Sequence, residues 1–395
     1  MLVYADNAST TQLDKRVYAA MAPYYTDIYG NASSLHVMGR KALAAADEAR
    51  GVIARCINAN ASDIYFTSGG TESDNWAITG VARALKDKGR HIITTAIEHP
   101  AVLNTCKDLE SEGWDITYLT VDSDGLIDLA ELERSVRDDT VLISIMWANN
   151  EIGSIMPIYQ IGRIARERGI YFHTDAVQAA GCLAIDVERC NIDLLSLSGH
   201  KLYGPKGIGI LYKRRGVKCL PYMKGGEQER GQRAGTLNTP AIVGMGKAME
   251  LACSSMQEDS SHVRSLRNYF ITRVLAEIPD VVYNGPKDDE LRLCGNANFT
   301  FNDIKGEALL ARLDMAGICA SSGSACSSGT TEPSHVLLAI GATEDAALST
   351  LRFSWGKYNT IAEVDYTVDK LKEISSELRS ATTLFKQFHG DDKYV

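Results

Sequence analysis

Short apolar segments alternate with longer amphipathic segments between about residue 60 and residue 215. The short segments are rich in branched and aromatic residues and predict β-strands, over residues 63–68, 91–97, 115–121, 140–147, 170–175, 193–198 and 207–213. The longer segments repeat apolar residues every three or four positions and predict helices, over residues 72–88, 100–112, 129–136 and 157–168. This alternation predicts an α/β fold with a mostly parallel sheet covered by helices on both faces, and ligands at the carboxyl ends of its strands.

The pattern changes after about residue 250. A helix is predicted over residues 262–277, followed by isolated strands at 296–301 and 350–355 and by a final helix. One face of that final helix is apolar, which we interpret as ordinary core packing; its residues are Val364, Val368, Leu371, Ile374 and Leu378. We therefore expect a large domain over residues 12–250 and a smaller α+β domain formed by residues 1–11 and 251–395.

The composition of the chain excludes several classes of protein. The chain has 395 residues, of which 45% are apolar and 23% charged, so it is neither disordered nor collagen-like. The net charge of −9 is spread along the chain, which disfavours nucleic-acid binding. The longest apolar run, residues 141–148, is far shorter than the roughly 20 residues that span a membrane. The first residues do not resemble a secretory signal, so we expect a cytoplasmic protein.

Nine cysteines are present, and no two lie closer than seven positions, so the chain contains no CxxC motif. This spacing gives no reason to expect a resident metal site or a thioredoxin-type pair. In a reducing compartment most of these thiols should simply be buried. Cys326 differs from the others because it lies in SSGSACSSGTT (321–331), whose Ser and Gly content predicts a mobile loop.

A candidate phosphate site lies in TSGGTESDN (67–75), where a predicted strand ends in two glycines and a helix follows. Glycines let the backbone approach an anion closely, and the first N–H groups of a helix favour negative charge. Thr71 adds a hydroxyl donor. An ordinary Gly-Gly turn with a threonine cap remains an alternative.

Two further residues indicate a cofactor. Asp175 ends an apolar strand in FHTDAVQ (172–178), and Lys201 follows the next strand in SGHKLYGPKGIG (198–209). A lysine in such a turn can have its pKa lowered by desolvation and nearby cations, which makes its amine reactive toward an aldehyde. A nearby aspartate can keep the pyridine nitrogen of pyridoxal phosphate (PLP) protonated. Alternatively, the lysine is a surface residue and the aspartate only caps a helix.

Together with GGTESDN (69–75), EHPAV (98–102) and SSGSACSSG (321–329), these motifs resemble the group I cysteine desulfurases. Those enzymes use PLP, belong to the class V aminotransferase family and have PLP fold type I. The resemblance extends from ADNASTT (5–11) to RFSWGKYNT (352–360), in the order and spacing of the family. It therefore covers essentially the whole chain.

The resemblance also implies roles for individual residues. Lys201 would bind the cofactor covalently, Asp175 would pair with the pyridine nitrogen, Gln178 would contact the ring hydroxyl, and His99 would stack over the ring and act in catalysis. The implied phosphate contacts are Gly70, Thr71, Ser198, His200 and, from the neighbouring subunit of a homodimer, Thr236. Asn150 would contact both cofactor and substrate, and the other implied substrate contacts are Arg352 and Asn31.

By the same resemblance, L-cysteine is converted to L-alanine while the thiolate of Cys326 takes the sulfur as a persulfide. The sulfur would then pass to an acceptor such as an iron–sulfur scaffold protein. No resident metal is expected, and any iron–sulfur contact at Cys326 would be transient. Cys319, in an apolar setting, is expected to be buried.

Two other functions remain open. The chain could be another PLP enzyme of the same fold, either a selenocysteine lyase or a class V aminotransferase, although an aminotransferase has no use for a thiol at Cys326. It could also be a catalytically silent protein that only binds a sulfur acceptor, although such a protein would not need Lys201.

Overall fold

The computed structural model describes residues 1–322 and 332–389. The strands are β1 (Val3–Tyr4), β2 (Ile64–Thr67), β3 (His91–Thr95), β4 (Asp115–Leu119), β5 (Thr140–Ser144), β6 (Tyr171–Asp175), β7 (Leu194–Ser198), β8 (Gly209–Lys213), β9 (Val281–Tyr283), β10 (Asn296–Phe301), β11 (Ile318–Cys319), β12 (Ser321–Ser322) and β13 (Thr350–Ser354). The helices are α1 (Lys15–Met21), α2 (Pro23–Thr26), α3 (Val37–Cys56), α4 (Gly70–Leu85), α5 (Pro100–Ser111), α6 (Leu129–Ser135), α7 (Ile158–Glu167), α8 (Thr239–Glu277), α9 (Gly306–Met315), α10 (His335–Ala339), α11 (Glu344–Leu348) and α12 (Ile361–His389).

A seven-stranded sheet has the strand order β2-β8-β7-β6-β5-β3-β4. Strands β3 to β7 pair in parallel, and only β8 runs against its neighbours β2 and β7. The seven segments predicted as strands supply these seven strands. The predicted α/β class and the mostly parallel sheet are therefore confirmed.

Helices cover both faces of this sheet, and the side chains of its strands explain why. Ile64 and Phe66 of β2 enter one hydrophobic cluster, whereas Tyr65 between them enters another. The first cluster also holds residues of α3, α7 and the first part of α8, and the second holds residues of α4 and α5. Because successive side chains of a strand point to opposite faces, each face must be covered by its own helices.

A second core lies in the smaller α+β part of the molecule. Its antiparallel sheet has the order β12-β13-β10-β9, and β1 pairs in parallel with β11 nearby. The core contains Val3 and Ala5 from the beginning of the chain together with side chains of α8, α9 and α12. The predicted apolar face of the final helix packs here, with Leu378 at its edge. That face is core packing, as expected.

One predicted boundary is wrong. Helix α8 begins at Thr239, whereas the sequence indicated a helix only from residue 262. Two glycines weakened the helical pattern, but both serve close packing: a Cβ at Gly244 would lie 2.6 Å from Met21, and one at Gly246 would lie 2.7 Å from Ala49. The helix continues without a break across residue 250, where the division between the expected domains remains a prediction.

Among the described residues, none of the helices combines the length and the apolar character that crossing a bilayer requires.

Candidate active site

A pocket of about 250 Å³ lies at the carboxyl ends of β6 and β7, beside the first turn of α4. Ten of the residues singled out in the sequence line it: Gly70, Thr71, His99, Asn150, Asp175, Gln178, Ser198, His200, Lys201 and Arg352. They come from the ends of strands of the large sheet, from the first turn of α4, from the segments between these elements and from β13 of the smaller sheet. The pocket therefore brings distant motifs of the sequence together.

The first turn of α4 forms one wall of the pocket. The helix begins at Gly70, and a Cβ on that residue would lie 2.7 Å from Cγ2 of Val177. Glycine thus lets the helix end approach the chain that follows β6. The first N–H groups of a helix have no acceptor within it and carry partial positive charge. With the hydroxyls of Thr71 and Ser198 beside them, these groups suit an anion such as a phosphate.

Asp175 lies at the end of β6 with 7% of its surface exposed. Its carboxylate accepts a hydrogen bond from the backbone N–H of Val177 at 2.9 Å. Burial raises the pKa of Asp175, and His99 and Lys201 act in the opposite direction. A carboxylate in this position is stabilised by a cation placed against it.

Behind Asp175 lies a second carboxyl group, Asp74 of α4, which sequence reasoning did not single out. It is buried, and its Oδ1 atom has no hydrogen-bond partner among the described residues. Burial, reinforced by the charge of Asp175, raises the pKa of Asp74 well above its ordinary value. His173 lies 3.6 Å from Asp74, but burial lowers the pKa of this histidine to about 3. The contact is therefore not an ion pair, because the ring of His173 is neutral.

Lys201 follows β7 and reaches the segment that begins the chain. Its Nζ donates hydrogen bonds to the carbonyl oxygens of Ala8 and Ser9, the latter at 2.7 Å. The neighbouring His200 is held by Thr10, with 3.0 Å between Nδ1 and Oγ1. Burial and the nearby Lys201 lower the pKa of His200 to about 4, so its ring is neutral at physiological pH. The beginning of the chain thus positions two of the predicted site residues.

His99 caps the amino end of α5. Its Nδ1 accepts a hydrogen bond from the backbone N–H of Ala101 at 3.1 Å. Burial lowers the pKa of His99, which favours the neutral ring. Since Nδ1 is the acceptor, the proton of the neutral ring is on Nε2. His99 can therefore offer one N–H donor from a fixed orientation.

Arg352 in β13 is 1% exposed and is held at several points. Its Nη2 donates to Asp6 at 2.9 Å and to the hydroxyl of Ser9 at 2.7 Å, and its Nη1 donates to the carbonyl of Asn150 at 3.0 Å. The Nε donor has no partner among the described residues. Asp6 and Ser9 were not assigned a role from the sequence, although both lie in the ADNASTT motif.

Other predicted residues are not brought into this pocket. Asn31 and Thr236 are exposed and do not line it. The segment before Thr236 is attached to α4, because Arg233 forms a 2.8 Å ion pair with Glu72. Cys326 lies outside the described residues. Cys319 was expected to be buried but is half-buried, since β11 pairs only with β1 in a two-stranded sheet.

The chain is similar to known proteins over nearly its whole length. A family model described as aminotransferase class-V matches residues 3–367. A cysteine desulfurase IscS from Methanosarcina thermophila is 52% identical over 97% of this chain and 94% of its own length. A solved NifS-like protein is 40% identical, covers 95% of this chain and 100% of its own, and has a TM-score of 0.90. SspA in complex with cysteine is also 40% identical, with 91% and 100% coverage and a TM-score of 0.79.

Proposed function

The chain belongs to the aminotransferase class-V family and is a cysteine desulfurase, and on that basis we propose that it uses PLP bound at Lys201 to remove sulfur from L-cysteine. L-Alanine is the second product, and Cys326 holds the sulfur as a persulfide. This proposal rests on one observation: Lys201, Asp175 and the first turn of α4 line the same pocket. A lysine amine, a buried carboxylate and an anion site are the three features that PLP requires.

The residues present fit PLP. The amino end of α4 supplies donors for its phosphate, with Gly70 close enough to act through its backbone. Asp175 is buried and its pKa is raised by that burial, so a protonated ring nitrogen placed against it would stabilise the carboxylate. His99, with its ring fixed by Ala101, lines the same pocket and would stack over the cofactor ring. When bound, PLP supplies an electron sink that stabilises negative charge at the substrate Cα.

Side chains of the protein then accept the proton from the substrate Cα and bind the substrate carboxylate. The amine of Lys201 takes the proton from the substrate Cα, and the carbonyls of Ala8 and Ser9 orient it. Arg352 lines the pocket and binds the substrate carboxylate through its guanidinium group. Asp6 fixes the guanidinium from the opposite side. SspA, the similar protein solved with cysteine, supports L-cysteine as the substrate.

Cys326 accepts the sulfur atom from the substrate. The Cys326 thiolate attacks the substrate sulfur, and the C–S bond breaks with its electron pair left on the substrate carbon, which is protonated as L-alanine forms. The sulfur stays on Cys326 as a persulfide, and a thiolate of an iron–sulfur scaffold protein or another sulfur acceptor then attacks the outer sulfur and releases the Cys326 thiolate. The naming of the Methanosarcina relative supports a role in iron–sulfur cluster assembly. As part of the same proposal, the enzyme acts in the cytoplasm, without nucleic acid or membrane as a partner.

We also propose a homodimer. Several large apolar side chains near the beginning of the chain are more than half exposed, which is typical of an interaction surface; they are Tyr18, Tyr25, Tyr29, Leu35 and Val37. Asn31 lies among them in the sequence and would belong to a substrate site completed at the interface. Thr236 does not line the pocket of its own chain, which fits a contact with the phosphate in the partner's pocket.

Borohydride reduction of the PLP-loaded enzyme tests the cofactor site. The reagent fixes PLP covalently to the amine that holds it, so peptide mapping identifies the residue. We expect the pyridoxyl group on Lys201, and its loss in Lys201→Ala. Lys206 lies in the same glycine-rich turn and provides the matched control. Recovery of the label on Lys206, or unchanged labelling of Lys201→Ala, would refute the assignment.

A further inference from the structure

Two cysteines that the proposed reaction does not use line a second cavity, of about 100 Å³. Cys182 lies in the segment after β6, and Cys294 lies just before β10. Lys201, Gln178 and Asn150 line this cavity as well as the candidate active site. The cavity that holds the two thiols therefore adjoins the candidate active site.

The two thiols are in contact with each other across the two parts of the molecule. The thiol of Cys182 hydrogen-bonds to the sulfur of Cys294. Cys294 belongs to the second hydrophobic core, and Cys182 packs against that core from the large domain. The hydroxyl of Ser260 donates to the carbonyl of Cys182 at 3.4 Å and also hydrogen-bonds to Cys294. The pair is thus a built cluster rather than two isolated cysteines.

The surroundings of the two cysteines shift their pKa values in opposite directions. The hydrogen bond from Cys182, with the charges of Arg267 and Arg264, lowers the pKa of Cys294 to about 7. Arg267 is fully buried and is held by the carbonyl of Leu293 at 3.0 Å. The same hydrogen bond, with burial, raises the pKa of Cys182 well above its ordinary value. Cys294 is therefore the more acidic of the two thiols and the one that forms the nucleophilic thiolate, with the Cys182 thiol beside it.

We propose that Cys182 and Cys294 form a sulfane-reactive dithiol site that a persulfide or polysulfide oxidises to a disulfide. The Cys294 thiolate attacks the outer sulfur of a persulfide R–S–SH, forming Cys294–S–SH and releasing R–S⁻. Cys182, after giving up its proton, attacks the inner sulfur of Cys294 and releases HS⁻. The two cysteine sulfurs lose two electrons in total, and the transferred sulfur atom gains them and leaves as sulfide.

This disulfide would connect the two parts of the molecule that build the pocket. Cys182 follows the strand that carries Asp175, and Cys294 precedes β10, which pairs with the strand that carries Arg352. Accumulated sulfane sulfur would therefore fix the position of the substrate site relative to the cofactor site. Only the source of that sulfur, not the chemistry of the pair, depends on the function proposed above.

Peptide mapping without reduction tests this proposal. The reduced full-length enzyme, with PLP bound, is freed of reductant, treated with L-cysteine or separately with sodium tetrasulfide, blocked with iodoacetamide and digested with trypsin. We expect a cross-link between the peptides 169–189 and 293–305, with the loss of two hydrogen atoms. Cys294→Ser should lose the cross-link completely. Tetrasulfide acts without turnover, so a cross-link in that arm alone would support the site while refuting the enzyme's own sulfur as its source.

A second thiol pair provides the matched control. Cys56 and Cys253 also hydrogen-bond to each other, but Cys253 is exposed and neither residue lines the cavity. Cys253→Ser should leave the cross-link between Cys182 and Cys294 unchanged. Full alkylation of both Cys182 and Cys294 after tetrasulfide would overturn the proposal. An equal or greater yield of the Cys56–Cys253 cross-link would also overturn it, because the reaction would then not be selective for the cavity.

Discussion

Substitution of Gly70 tests whether the first turn of α4 holds the cofactor phosphate. In Gly70→Ala the new Cβ would lie 2.7 Å from Cγ2 of Val177, whereas ordinary contacts begin at 3.4 Å. Unless the Val177 side chain turns away, the helix end or the chain after β6 must move by about 0.7 Å to restore an ordinary contact. A shift of this size lengthens the hydrogen bonds that the first N–H groups would give to the phosphate.

The magnitude follows from the bonds that are weakened. A hydrogen bond to a charged group contributes about 1.5–3 kcal/mol, and each 1.4 kcal/mol is roughly tenfold in affinity. Loss of one such bond thus predicts PLP binding weaker by about tenfold to a hundredfold. Overpacking costs about 1–3 kcal/mol, while alanine gains up to about 1 kcal/mol in helix propensity over glycine. The free energy of unfolding of the apoprotein should accordingly change less than the affinity for PLP.

The assay is a titration of the apoprotein with PLP, followed by absorbance or protein fluorescence. Gly69→Ala is the matched control, because the nearest atom to its new Cβ is Oγ of Ser198 at 4.0 Å. Removing the clash in the double variant Gly70→Ala/Val177→Ala should restore most of the affinity. The reasoning is refuted if Gly70→Ala binds PLP as the wild type does, or if Gly69→Ala is impaired to the same degree.

Three further substitutions test other parts of the site. Burial raises the pKa of Glu98 to about 8. The protonated carboxyl group therefore stabilises the folded state fully below the ordinary pKa of glutamate. This stabilisation is lost as the pH rises toward 8, by roughly 1.4 kcal/mol per pH unit. In denaturant titrations Glu98→Gln should therefore flatten the fall in unfolding free energy between about pH 5 and pH 8, and an unchanged slope would contradict this. Asp6→Asn should raise KM for L-cysteine by about tenfold, equivalent to roughly 1.4 kcal/mol, with a smaller change in kcat, since Arg352 loses its 2.9 Å partner; a loss of kcat alone would count against the carboxylate role. Thr236→Ala should weaken PLP binding by about 1.5–3 kcal/mol, and a monomer in light scattering that retains PLP fully would exclude the shared site.

Much of the fold could be predicted from the sequence because the large sheet is buried on both faces. Its strands are short segments rich in branched and aromatic residues and bounded by polar turns, and such segments can be recognised without a structure. The first half of α8 was missed because its glycines look like helix breakers. Only the packing against Met21 and Ala49 shows that a side chain at Gly244 or Gly246 would not fit. Close helix packing of this kind depends on tertiary structure and leaves no local signal.

For a similar reason, only some residues of the candidate site could be predicted from the sequence. Lys201 and Asp175 follow apolar strands, and this position alone indicates the sheet edge where ligands bind. Asp6 and Asp74 have no such signal, since a carboxylate near the beginning of a chain or inside a helix is usually exposed. Asp6 forms an ion pair with Arg352, and the charge of Asp175 acts on Asp74, so both carboxyl groups depend on residues from distant parts of the chain. Residue type and spacing cannot reveal such contacts.

The central claim is that this pocket converts L-cysteine to L-alanine and that Cys326 receives the sulfur. In the most direct measurement, the PLP-loaded enzyme is incubated with L-cysteine and a reductant, and the alanine and sulfide that form are quantified. In a second sample without reductant, the mass of the peptide containing Cys326 is determined by mass spectrometry after one turnover. We expect equal amounts of alanine and sulfide, the mass of one sulfur atom added to that peptide, no sulfide from Cys326→Ala, and normal activity from Cys319→Ser. Normal sulfide release from Cys326→Ala, or the added sulfur on Cys319, would contradict the account.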